Sequence, residues 1–530
     1  MPRETAPPSA LEKGDLLRVS PLGCRRRCRA ASFSLLALFA LRALALELAL
    51  NGARIRSISS AELSSLAGPV ALPAQAARGA AAAGEASLVR GVSLGELYPL
   101  VAEAWRLEAK SASASRAWED EGLGERLFEL YLVEAPGGTW ELRVGGERLG
   151  AAERLDLAAE VLAEDGAEFW VSWEGVAELK AEVARFAKAH GRSIKTVEVP
   201  NTQSKLVAVA RGGGKLPDLV MIQSDYAPGL ARMGLLQSVE YLRSPDLVDK
   251  GFEAFRSEGR YWALPFYFDA QLVFYRGSIA GPAPRPDWSL EELEARARAL
   301  KGKVEHPLAW NLYSAYWLLP FAAGYGKAGI LDPAGGMRAD DEATARALDQ
   351  LLKLRDEGLL EPAERDAMIS WFASGKAAYI LSGSYSIPEF ERVGLDFGVA
   401  PYPVVAATGK PVAPMLDFKG LALSRRTARP ILARRLAQYL TSAPVQARFT
   451  SSQSKLPASK AAWELSRGSN RYFEALSRSY EIGLVVPPSE AYAAYKNVMW
   501  KILRLVVTGQ MRVREALATA QRLVDENLAE

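Results

Sequence analysis

Between Glu168 and Gln223 the apolar residues keep two different periods in turn. "EFWVSW" is a short apolar run of strand length. "GVAELKAEVARFAKAHG" then places Val176, Leu179, Val183 and Phe186 on one helical face, with Glu178, Glu182, Arg185 and Lys188 outward and Gly191 as the stop. "IKTVEVP" predicts a second strand, "QSKLVAVARGGG" a second helix and "DLVMIQ" a third strand. This β-α-β-α-β order implies parallel strands joined by right-handed crossovers. The preceding stretch reads differently. "SLGELYPLVAEAWRLEA" has a helical pattern through Leu97, Leu100, Val101, Ala104 and Trp105, with Ser93 and Glu96 spaced as a capping box. "RLFELYLVEAPGGTWELRVGGERL" alternates as strands, with turns at Pro136-Gly137-Gly138 and Gly145-Gly146. Residues 91–165 are therefore expected to form a small α+β domain, reached through an Ala/Ser/Gly-rich linker over 51–90.

Where ligands sit in such a fold follows from topology. In open parallel sheets they lie outside the carboxyl ends of the strands. Trp173-Glu174 follows the first strand and Ser224-Asp225 the third, so both corners are candidate sites. Asp225 also suits capping of the helix "APGLARMG", since a carboxylate there accepts free backbone N–H groups. Gly212-Gly213-Gly214-Lys215 is a turn rather than a phosphate loop, because Leu216 replaces the required Ser/Thr and a strand follows.

Length and charge narrow the class. The 530 residues exceed one ordinary core, and 49% apolar with 24% charged residues is a soluble composition. Residues 1–29 carry a local +4, which leaves −1 for everything after Arg29. A near-neutral body lacks the basic field that nucleic-acid binding uses. The basic block precedes twelve uncharged residues, Ala30–Leu41, the pattern of an export signal. Read on to residue 50, the segment is instead an uncleaved membrane anchor; a buried core helix is the remaining alternative. The only cysteines, Cys24 and Cys28, precede the apolar run, so the body has no disulfide framework. His190 and His306 make no ligand pair, and no metal or cofactor is expected. His190 ends a helix, where a cation suits the dipole.

Five stretches in register resemble the family 1 extracellular solute-binding proteins of ABC importers, the group containing maltose-binding protein. They are "GGGKLPDLVMIQSDYAPGLARMGLLQSVE", "GRYWALPFYFDAQLVFYR", "AMISWFASGKAAYILSGSY", "GLALSRRTARPILARRLAQYLTSAPVQARF" and "VVTGQMRVREALATAQRLVD". The similarity covers about Glu168 to the end. It implies an α/β, two-lobed periplasmic-binding-protein fold (type II, Venus flytrap) with doubly wound lobes. One lobe would be residues 168–268 with 419–470, the other 269–418 with 471–530. Ahead of them stand the small domain and, in residues 1–50, the basic leader with its export or anchor segment.

For a saccharide, such a cleft needs flat apolar faces for ring C–H groups and planar acceptors for hydroxyls. On the family pattern Asp225 is the hydroxyl-binding carboxylate, and Asp269 falls where another acid is often placed. Tyr316 and Tyr385 fall on ring-stacking positions, and Trp173 and Glu174 on the first ligand-facing corner. Tyr492, Tyr495 and Trp500 offer a further aromatic, taken as Tyr495. Asp417 borders the second hinge crossing, in ligand contact or in hinge hydrogen bonding. Departures from the family are Ile222 before the Asp225 corner, Tyr226 at a basic position and Ser314 beside Tyr316. They imply a less charged, differently stacked site than one for maltodextrin. Trp310, Trp317 and Phe268 are expected in the core.

The implied function is capture of a sugar or related polyol outside the cell and its delivery to an ABC permease, by a monomer that makes no covalent change. The ligand is expected to be neutral, because no Arg/Lys cluster stands at helix starts. The protein would be periplasmic or held on the outer face of the cytoplasmic membrane by residues 30–50. A membrane-tethered sensor reporting through residues 91–165 is one alternative. A glycoside hydrolase using Asp225, Asp269 and Asp417 is another, though no local acid pair is visible.

Overall fold

The computed structural model describes residues 164–332 and 335–529, together with ten strands between 46 and 161. Those ten strands form two five-stranded sheets. One has the order Ala53–Ile58, Leu46–Leu50, Arg154–Val161, Val101–Lys110, Ser115–Glu119; the other runs Gly68–Leu72, Ser87–Ser93, Leu130–Ala135, Thr139–Val144, Glu147–Ala151. The strands on either side of residues 136–138 and of 145–146 pair antiparallel, as the sequence between them predicts. Two expectations are corrected here. The helix through Val101, Ala104 and Trp105 is a strand, with Leu107 opposite Leu157 and Ala109 opposite Leu155. From Trp105 onward its residues alternate apolar and polar, and a partner strand with the same alternation decides between the two periods. Three of the strands also occupy the expected linker, and Leu46–Leu50 pairs in parallel with Arg154–Leu157. That pairing takes five residues from the proposed anchor. Its remaining apolar run, Ala30–Leu41, and both cysteines lie outside the described residues. Among the described residues no helix is long and apolar enough to cross a membrane.

From Ala167 the predicted alternation is present. β1 (Ala167–Val171), α1 (Val176–Ala189), β2 (Ile194–Glu198), α2 (Thr202–Arg211) and β3 (Leu219–Gln223) follow in turn, with β1 parallel to both β2 and β3. α2 starts at Asn201, whose side chain accepts from the Ser204 amide at 2.8 Å. α1 has no such cap and starts at Gly175, at φ +71°. A Cβ there would stand 2.4 Å from the Phe449 ring, so only glycine fits both backbone and neighbour. Glu182, expected to face outward on α1, is buried. Arg448 Nε donates to it at 2.8 Å and Tyr439 Oη at 3.0 Å, so its charge is matched inside the fold.

Two long strands join the lobes. β4 (Leu264–Tyr275) pairs through Ala270 with β8 (Met415–Leu423), and from Gln271 onward with β7 (Ala377–Gly383). β7 continues in parallel to β5 (His306–Trp310), which pairs with β6 (Leu360–Pro362). The sheet thus runs without a break as β2-β1-β3-β8-β4-β7-β5-β6, from the edge of one lobe to the edge of the other. A third crossing, Leu484–Val485, lies in parallel beside Met415–Leu416. Trp310, Trp317 and Phe268 are buried in the core, as their neighbours in sequence suggest.

Candidate functional site

The centre of the sheet carries charge. Asp269 on β4 lies opposite Asp417 on β8, a pairing that would repel if nothing stood between. Lys419, two residues along β8, supplies the cation. Its Nζ donates to Asp417 Oδ2 at 2.7 Å and stands 3.6 Å from Asp269 Oδ2. On the other side Lys455 donates to Asp269 Oδ1 at 2.5 Å and lies 3.3 Å from Glu174 Oε2. The result is an alternating ladder, Glu174–Lys455–Asp269–Lys419–Asp417, laid across the hinge. Burial alone would raise Asp269, but Lys455 and Lys419 outweigh it and hold its carboxyl below the usual range. Asp417 has one lysine rather than two. Burial pushes it up, Lys419 pulls against that, and Asp225 and Asp269 add to the rise. Gln223 Nε2 donates to the same Oδ2 of Asp417 at 3.0 Å, tying the end of β3 into the ladder.

Rings surround this floor. Trp173 adopts φ +70°, uncommon for a side-chain-bearing residue, and Lys419 Nζ lies 5.7 Å from its ring centroid. Tyr316 opens a second helix, α3 (Ala315–Gly324), and its carbonyl accepts from Gln271 Nε2 at 2.8 Å. Burial raises the Tyr316 phenol well above the usual range, and Asp417, Tyr385, Tyr492 and Asp269 are near enough to add to the rise. Tyr385 follows β7, and the missing side chain of Gly383 makes its ring position possible; a Cβ there would stand 2.2 Å from that ring. Arg365 lies over its face, 5.7 Å from the centroid.

The third corner behaves differently from a cap. Asp225 makes no side-chain bond to the short helix α4 (Ala227–Arg232). Instead its Oδ2 accepts from Lys496 Nζ at 2.9 Å. Lys496 belongs to α5 (Glu490–Val507), which packs on α3. A second ion pair, Arg232 with Glu490, joins the same two elements.

The model of one family, described as bacterial extracellular solute-binding protein, matches residues 181–469, more than half of the chain. The chain belongs to that family. As a member, this solute-binding protein works outside the cytoplasm, in the periplasm or extracellularly. It is 24% identical over 362 residues to the maltodextrin-binding protein MdxE of Bacillus subtilis, covering 65% of this chain and 86% of that one. It is 26% identical over 216 residues to a maltotriose-binding protein of Pyrococcus abyssi, covering 40% of this chain and 47% of that protein. Among solved structures, the GacH receptor of Streptomyces glaucescens GLA.O superposes with a TM-score of 0.61 at 23% identity, covering 68% of this chain and 99% of that one. This last likeness carries the two-lobed fold alone.

Of the nine expected positions, Trp173 and Glu174 follow β1, Asp225 and Tyr226 follow β3, Tyr385 follows β7, Tyr316 lies in the first turn of α3 and Asp417 lies within β8. Two are placed otherwise. Asp269 is 2% exposed, and its oxygens are taken by Lys455, Lys419 and Ser384, so it holds the hinge rather than lining a cleft. Tyr495 is fully buried, with its hydroxyl unpartnered. Tyr492, one turn before Lys496 and with that lysine's Nζ 5.3 Å from its ring centroid, is buried as well. Sequence reading also missed Lys455 and Lys496. The signal for Lys455 was a lone charge in "SKLPA", whose Leu456-Pro457 pairs with Tyr267-Phe268 of β4 and so delivers the lysine to Asp269. His190 is not a cation at its helix end, because burial pushes it down to about 4. Among the described residues no group of His, Cys, Asp and Glu is arranged to hold a metal ion.

Proposed function

We propose that this chain captures an oligosaccharide in the cleft between its lobes and hands it, unchanged, to an ABC permease. The observation that carries the reading is that the partly exposed rings of Tyr316 and Tyr385 stand with Asp417 and Asp225 above a floor whose buried charges are matched by lysines. Rings of this kind cover the C–H faces of pyranoses, and carboxylates with a free lone pair accept their hydroxyls. Relatives named for maltodextrin and maltotriose support a sugar of several units. The lobes are residues 168–268 with 419–470 and 269–418 with 471–530; the change of strand partner inside β4 supports that division. Closure is a shift of population, since only the closed form lets both lobes touch one ligand. The acids Asp225, Asp269 and Asp417 each carry a lysine, which suits binding better than proton transfer to a glycosidic oxygen. Export by the apolar run Ala30–Leu41, retained as an anchor or removed, completes the reading.

Calorimetric titration with maltotriose tests it. Wild-type protein binds without releasing products, Tyr385→Ala abolishes binding and Asp225→Ala weakens it about tenfold, the loss of one charged hydrogen bond. Normal binding by both variants overturns the cleft assignment, and turnover of the sugar overturns the binding reading.

A further inference from the structure

The amino ends of β1, β2 and β3 form a pole on the side of the sheet opposite the Trp173 and Asp225 corners. Buried Asp218 ties its loops together. Its side chain accepts from the Glu168 amide at 2.8 Å and from Thr427 Oγ1 at 2.6 Å, and its carbonyl accepts from the Ser424 amide at 3.2 Å. The loops so joined carry Arg211 and Lys215 on one side and Arg425 and Arg426 on the other, all exposed. Arg365, Arg504 and Arg514 elsewhere are paired with Glu389, Glu364 and Glu342, whereas among the described residues these four cations meet no carboxylate. Asp165, an exposed acid of the pole, is already taken by the Ser193 amide at 2.6 Å. Like charges gathered without counter-charge repel one another and attract an anionic surface. The exposed Gly212, Gly213 and Gly214 beside Lys215 leave no side chain to hold a flat surface away. A second observation says which surface. The chain arriving from residues 1–163 enters at this pole, where Glu164 accepts from the Leu432 amide at 2.7 Å and the Asp165 carbonyl accepts from Arg429. A chain held at a membrane by its upstream apolar run, Ala30–Leu41, is therefore tethered through the pole and not through the cleft.

We propose that this pole is a docking surface for anionic phospholipid headgroups, on which the unliganded protein lies with its cleft turned to the solution. Arginine and lysine side chains meet lipid phosphates directly, and the attraction fades within a Debye length, about 10 Å at 0.1 M salt. The cleft corners stand at the carboxyl ends of the same strands, so contact with lipid leaves them uncovered. The inference is independent of which solute the cleft takes.

The test measures partition of the full chain onto vesicles of phosphatidylcholine, alone or with about one-third phosphatidylglycerol. Wild type is expected to prefer the anionic vesicles. Arg425→Gln combined with Arg426→Gln lowers that preference about twentyfold, near fivefold for each cation. Lys501→Gln combined with Arg512→Gln, which removes the same charge from α5 and the turn after it, leaves the preference unchanged. The basic leader is common to all three proteins and cancels. Both double variants are expected to melt with wild type, since all four side chains are exposed. Hydrogen exchange on the anionic vesicles is expected to slow at residues 212–217 and 424–429 and to stay as in solution at 224–226. Equal loss in the two double variants, no loss in either, or unprotected pole loops would each overturn the docking surface.

Discussion

Lys496 holds Asp225 at 2.9 Å although 271 residues separate them, and on the proposed division the bond spans the two lobes. Together with Arg232 and Glu490 it ties the corner after β3 to the start of α5. The acid proposed to meet the sugar is therefore also a closing contact.

Lys496→Met should loosen the unliganded protein more than it unfolds it. The lysine side chain is 37% exposed, so its loss costs less than about 1 kcal/mol of global stability. Small-angle scattering is expected to show a larger radius of gyration without ligand, and raising salt on wild type to shift it the same way. Identical scattering of variant and wild type would exclude a latch.

The buried ladder predicts a large effect from one methylene-matched change. Lys455→Met leaves the buried Asp269 with Lys419 alone and takes the cation from the partly exposed Glu174, a loss of about 3 kcal/mol. Urea unfolding measures it. Adding Asp269→Asn to Lys455→Met should recover part of the loss, because the stranded charge is gone; a simple sum of the two single losses would contradict the pairing.

A pH prediction comes from His190, packed edge-on against Phe186 at 4.3 Å with its Nδ1 unpartnered. Burial lowers it from 6.5 to about 4. The unfolded chain takes up the proton first, so stability is intact above 6.5 and falls as pH drops toward 4, by about 3 kcal/mol at most. His190→Leu is expected to flatten the fall of melting temperature over that window. An unchanged slope would place the proton elsewhere.

Two buried tyrosines on α5 differ in what their loss should cost. Tyr492 is 1% exposed and packs against Lys496, so Tyr492→Ala is expected to lower stability by about 3 kcal/mol, read by urea unfolding. Tyr495→Phe removes a buried hydroxyl that has no partner, so binding stays unchanged and stability holds or rises. Loss of maltotriose binding in Tyr495→Phe would restore Tyr495 to the cleft.

What the sequence made legible was local. The periods of β1 to β3, the corners at Trp173-Glu174 and Ser224-Asp225, and the hinge strand around Asp269 all follow from neighbours a few residues apart. What it hid was set at long range. Lys455 meets Asp269 across 186 residues, and Arg448 buries Glu182 across 266. No local pattern announces either partner, so Asp269 looked available and Glu182 looked solvated. Tyr492 and Tyr495 are three residues apart on one helix, and the aromatic pattern does not tell that both are buried. Val101–Lys110 fits a helix and a strand about equally until its pairing partner is known.

The unbroken sheet has a mechanical consequence. β4 and β8 are paired from Leu264 to Ala270 with one register shift at Pro265–Tyr267, so the junction is a hydrogen-bonded ribbon rather than a slack tether. Opening must be absorbed as torsion along two stiff ribbons, which store the deformation and return it. The resting angle of the jaws is then a property of ribbon twist, tunable by residues that never touch a guest.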